Sequence, residues 1–149
     1  MKDASSPKNI AIFTNFSDAQ EAYSLNRVVQ DQIKMLVRNG YKPVVIVAQS
    51  FNAPEETPYF HPDVTLRHIP IVPVHNEVKK DESFDADVNS IFNSLDEALK
   101  DIDVVLTHDI VYQNSALKHN FAARRFAEKN PQVKWLHWIH SATSPVTLA

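Results

Sequence analysis

The chain contains no cysteine, which excludes disulfide bridges and thiolate metal sites from the outset. It has a single glycine, Gly40, in 149 residues, against an average usage of about 7%. Loops that close a backbone around phosphate need several glycines at fixed spacing, so neither a P-loop nor a G-x-G-x-x-G dinucleotide turn can be written here. The G-x-S-x-G elbow of serine hydrolases is missing as well. No apolar run approaches the roughly 18 residues of a membrane span. The opening "MKDASSPKN" lacks the apolar core of a secretion signal. A basic excess is also lacking: 15 Lys and Arg stand against 18 Asp and Glu, for a net charge of −3. The short pairs Lys79–Lys80 and Arg124–Arg125 read as solvated helix or loop positions rather than a nucleic-acid footprint. These absences lead to the expectation of a cytoplasmic protein with no nucleic-acid partner and no membrane span.

What is present is ordinary for a soluble domain, with 44% hydrophobic and 22% charged residues. Residues 1–8 read as a flexible tail and residues 9–149 as one domain. "NIAIFT" (9–14) and "PVVIVAQS" (43–50) are short apolar runs of buried-strand type. Between them Leu25, Val28, Val29, Ile33 and Leu36 make one helical stripe. Ser17 with Gln20, or Asp18 with Glu21, offers a capping box at its start. Gly40 falls where a left-handed residue ends the helix, and Pro43 forbids continuation. "VTLRHIPIVPV" (64–74) carries Pro70 and Pro73, which predicts an edge or terminal strand. The polar stretch around Lys79, Lys80, Asp81 and Glu82 reads as a loop suited to mobility.

A second stripe, Val88, Ile91, Phe92, Leu95 and Leu99, predicts a helix over 85–100. "DVVLT" (103–107) is a third strand. Asn114 or Ser115 would cap a third helix running to Asn130–Pro131, with Leu117, Phe121 and Phe126 facing inward. "VKWLHWIH" (133–140) is the last strand. Strands alternating with helices predict an α/β fold: a Rossmann-like, mainly parallel sheet with helices on both faces.

Such sheets bind ligands outside the carboxyl ends of their strands. That rim should hold the Asn15–Asp18 turn, His108 and Asp109 after the third apolar run, and His140 after the last. A metal centre on His108, Asp109, His137 and His140 is disfavoured. His137 and His140 are three residues apart in a strand and point to opposite faces. Trp135 and Trp138 are expected in the core rather than in a site.

The order of elements resembles the N-terminal domain of GT-B fold glycosyltransferases, especially the retaining family 4-like enzymes. The likeness runs through "IAIFTNFSDAQEAYSLNRVVQDQIKMLVRNGYKPVVIVAQS", "DVTLRHIPIVPV", "DVVLTHDIVYQNSALKHNFAARRF" and "KWLHWIHSATSP", and covers residues 9–145. It implies half of a GT-B architecture, receiving the acceptor and closing over a nucleotide-sugar donor. A second Rossmann-like domain, in cis or in trans, would hold most of the nucleotide. By this likeness His140 lies near the transferring sugar as the catalytic candidate. Asn15, Phe16, Ser17, Asp18, His108 and Asp109 line the substrate side, and no metal or cofactor is implied. The family's first loop is often glycine-rich, whereas Asn15–Asp18 occupy it here. The domain also reads as incomplete, and the isolated chain is expected to be inactive. The alternative is a non-catalytic Rossmann-like binding or interaction module.

Overall fold

Five apolar runs become the five strands of one sheet, in a computed structural model that describes residues 8–18, 24–73, 80–108 and 116–138. The strands are β1 (Ile10–Phe13), β2 (Val44–Ala48), β3 (Thr65–Ile69), β4 (Val104–His108) and β5 (Lys134–Trp138). The helices are α1 (Ser24–Arg38), α2 (Phe84–Ala98) and α3 (Leu117–Lys129). All strand pairs are parallel, in the order β3-β2-β1-β4-β5. The expected Rossmann-like α/β arrangement is therefore present, with helices on both faces.

Alternation along the central strands divides the core in two. Ile12, Val45, Val47 and Leu106 pack with Leu25, Val29, Ile33 and Leu36 of α1. On the opposite face Ala11, Phe13, Ile46 and Val105 meet Val88, Ile91, Phe92 and Leu95 of α2 and Ala122 and Phe126 of α3. β1 and β2 sit between both layers, which is why they read as unbroken apolar runs rather than as alternating ones. Each fully buried aliphatic side chain contributes about 2 kcal/mol of transfer free energy. β3 lies at one edge and ends before Pro70, as its prolines require.

Gly40 has φ 86°. The Tyr41 N–H donates to Leu36 O at 3.0 Å and the Gly40 N–H to Val37 O at 3.1 Å, the paired bonds of a Schellman stop. A Cβ at Gly40 would meet no atom within 4 Å, so only backbone strain opposes a side chain there. Gly40→Ala is expected to destabilise the domain by about 1 kcal/mol, and Gly40→Asn by less, as read by urea unfolding.

Candidate functional site

In a doubly wound sheet the ligand crevice opens where the chain order reverses, at the carboxyl ends of the two strands that flank the switch. Here β1 connects onward to β2 on one side, while β4 connects to β5 on the other. The switch therefore lies between β1 and β4. Phe13 is level with Thr107 in the register, which places the chain leaving Phe13 beside His108. Thr14 is thus level with His108, although nothing in their local sequence spacing links them, and Asn15–Asp18 follow from there.

The segment after β1 does not swing directly into a helix. Its backbone continues along the end of β2: the Ala48 N–H donates to Phe16 O at 2.9 Å and the Asn52 N–H to Ser17 O at 3.1 Å. Asp18 bridges Asn52 in parallel sense. Thr14 Oγ1 donates to Ile46 O at 2.6 Å and accepts the Phe16 N–H at 3.2 Å, fixing the exit from the strand. Phe16 packs into the α1-side core, while Asn15, Ser17 and Asp18 are exposed. Asn26 of α1 clamps the segment from behind, donating from Nδ2 to Asp18 O at 2.9 Å. Its Oδ1 accepts from Tyr59 Oη at 2.9 Å and from Gln30 Nε2 at 2.8 Å. Burial pushes the Tyr59 phenol far above its ordinary value, so it remains a donor at any physiological pH.

His108 ends β4 only 3% exposed. Its Nε2 lies 2.7 Å from Gln32 Oε1 on α1, and its ring is 6.0 Å from that of Trp138. On the other face of the sheet Thr107 Oγ1 and His137 Nδ1 are 2.6 Å apart, a bond whose direction the imidazole tautomer sets. Partial burial lowers the His137 imidazole below its ordinary value. Asp109 and His140 lie outside the described residues, as do Gln20 and Glu21 of the expected capping boxes, Lys79, and the α3 caps Asn114 and Ser115. Trp135 fits the core expectation in part, packing edge-on to Phe126. Trp138 does not: it is 48% exposed, because β5 is an edge strand and α1 covers only the sheet's centre.

Sequence periodicity missed a third group at the same rim. Lys118, in the first turn of α3, is 1% exposed, and its ammonium lies 2.7 Å from Asp87 Oδ2 and 2.9 Å from Asp81 Oδ2. Ser83 Oγ donates to Asp87 Oδ2 at 2.7 Å. Burial pulls the Lys118 ammonium down, but its hydrogen bonds and charge contacts with Asp87 and Asp81 outweigh that and hold it above its ordinary value. The Lys118 hydrogen bond in turn holds the Asp81 carboxyl below its ordinary value. The only early signal was "KKDE" preceding one helix and a lysine opening the next.

At the amino ends of the strands a cleft of about 680 Å³ is lined by Asn9, Asp96, Glu97, Lys100, Asp101 and Asp103. Four carboxylates against one ammonium, beneath the carbonyl end of α2, make it hostile to an anionic ligand. Among the described residues no three His, Asp or Glu side chains gather closely enough to hold a metal ion, and no helix is long and apolar enough to cross a membrane. No protein-family model, curated protein or solved structure matches this chain.

Proposed function

We propose that the domain is the acceptor-side half of a GT-B fold glycosyltransferase of the retaining, family 4-like kind. Its reaction would move a sugar from a nucleotide-sugar donor to an acceptor across a cleft shared with a second Rossmann-like domain. One observation carries the reading. The strand order puts the switch point between β1 and β4, and the exposed polar groups of Asn15, Ser17 and Asp18 follow directly on β1 at its carboxyl end. In this reading those groups and Asp109 accept from, or donate to, acceptor hydroxyls. His108, fixed by Gln32, supports the crevice floor. His140 hydrogen-bonds the transferring sugar as oxocarbenium-like charge develops.

A second reading, a non-catalytic binding module, is favoured by the burial of His108 and by the backbone bonds that hold Phe16 and Ser17 against the end of β2. Enzyme kinetics separates the two. Residues 1–149 alone should not turn over nucleotide sugars, because transfer needs donor and acceptor held together and one domain supplies one wall. In a protein joining this domain to a donor-binding half, His140→Ala should lower kcat about tenfold while leaving donor affinity nearly unchanged. Robust turnover by residues 1–149 contradicts the half-enzyme reading. Unchanged kinetics in the variant favours the module.

A further inference from the structure

We propose that the slot between α1 and the turn at Pro58–Phe60 binds a small carboxylate with an apolar body, of the size of an arylacetate. The inference is independent of the glycosyltransferase reading, since none of the residues forming the slot belongs to the β1–β4 rim. The cavity has a volume of about 230 Å³, walled by Ile33, Lys34, Val37 and Arg38 of α1 with Pro58 and His61 opposite. Its floor is aliphatic, and among the described residues no Asp or Glu lines it. Drug-sized ligands occupy sites of about 300 Å³ and more, so this volume suits one ring or a short chain rather than a nucleotide.

Both walls are held in place before any ligand arrives. Pro58–Phe60 form a single 3₁₀ turn, closed by the His61 N–H on Pro58 O at 3.1 Å. Tyr59 pins that turn to α1: it is 1% exposed, bonds Asn26, and packs edge-on to Phe51 with ring centroids 5.0 Å apart. The Asp63 N–H donates to His61 Nδ1 at 3.0 Å, which uses the ring's acceptor and leaves Nε2 as a donor. On the facing helix Lys34 and Arg38 are four residues apart and so neighbours on one face. Both are exposed, and among the described residues neither side chain makes an ion pair or a hydrogen bond. The carbonyl end of α1 would oppose an anion, but it is closed on itself. Met35 O, Leu36 O and Val37 O accept from the N–H groups of Asn39, Tyr41 and Gly40. Two unpaired cations and a ring donor beside an aliphatic floor match a carboxylate head on an apolar body. The Arg38 fork suits a carboxylate's two oxygens, and Lys34 adds a point charge.

The test is an amide-resolved NMR titration of residues 1–149 with phenylacetate, phenylethanol, phenethylamine and acetate. Phenylacetate is expected to give saturable shifts confined to Ile33–Arg38 and Tyr59–His61, with a dissociation constant of the order of 1 mM. Phenylethanol lacks the charge, acetate lacks the body and phenethylamine reverses the charge, so each should bind at least about fivefold more weakly. Lys34→Gln and Arg38→Gln alter exposed side chains and should keep the wild-type melting temperature. Each should weaken phenylacetate about fivefold while leaving phenylethanol unchanged. Absence of saturable phenylacetate shifts in the wild type overturns the proposal, as do shifts centred elsewhere. Phenylethanol binding as tightly as phenylacetate would show that the cations are not read. Undiminished phenylacetate binding in both variants would overturn the assignment equally.

Discussion

Replacing Lys118 by alanine should lower the unfolding free energy by about 3 kcal/mol, a shift of roughly 10 °C in the melting temperature of a domain this size. The loss has two sources. The side chain is 1% exposed, so truncation leaves a cavity beneath the first turn of α3. It also strands two carboxylates that its ammonium had paired, Asp87 at 18% and Asp81 at 37% exposure. Both retain access to water, so the charge part stays well below that of a sealed pair. Lys118→Met keeps the volume and should cost about half as much. Combining Lys118→Met with Asp87→Asn should recover part of that loss, because the stranded charge goes with the cation. Urea unfolding of the three variants checks this. A loss under about 0.5 kcal/mol in Lys118→Ala would show that the pair does not brace α2 against α3.

Acidification should destabilise the fold well before its carboxylates protonate. His119, next along α3, is 8% exposed, and its Nδ1 has no hydrogen-bond partner among the described residues. Burial, aided by the neighbouring Lys118 charge, pushes the imidazole from 6.5 down to about 4. Between those values the unfolded chain takes up a proton that the folded chain refuses, so stability is full above pH 6.5 and falls as the pH drops towards 4. The gap corresponds to about 3 kcal/mol at most. His137, also lowered but more exposed, adds a smaller loss of the same sign. Asp81, held below 3.8, contributes only at still lower pH. Unfolding measured at about pH 7 and about pH 4.5 should show the decline in the wild type and a much flatter response in His119→Leu. An equal decline in both would remove His119 as its origin.

The framework of the fold was legible because its signals were local. Apolar runs marked β1, β2 and β4, three-and-four spacing marked the α1 and α2 stripes, and Gly40 with Pro43 marked a helix end. Pro70 announced an edge strand before any partner was known. The polar interior was not legible. Asn26, Gln32, Lys118 and His119 occupy helix positions that periodicity assigns to solvent or leaves neutral, yet all four are buried. Their burial is settled by distant partners: Gln32 by His108, 76 residues away, and Asn26 by Tyr59, 33 residues away. The position of β5 was equally hidden. An apolar strand sequence does not say whether a helix will cover it, so Trp138 read as core and proved half exposed. At the candidate site, only the strand-order rule pointed to the carboxyl ends of β1 and β4; the structure sets Thr14 level with His108 and carries the chain from Phe16 to Asp18 along β2.

The most direct test of the acceptor-side reading is an amide-resolved NMR titration of residues 1–149 with nucleotide sugars and with free mono- and oligosaccharides. The account predicts weak, saturable shifts from the saccharides, confined to Thr14–Asp18, Thr107–His108 and the residues that follow β4 and β5. Nucleotide sugars should perturb the same rim with little added contribution from the nucleotide, whose contacts belong to the other half of the cleft. Saccharide shifts centred on the acidic cleft at Asn9 and Asp96–Asp103, or no response to any saccharide, would contradict it.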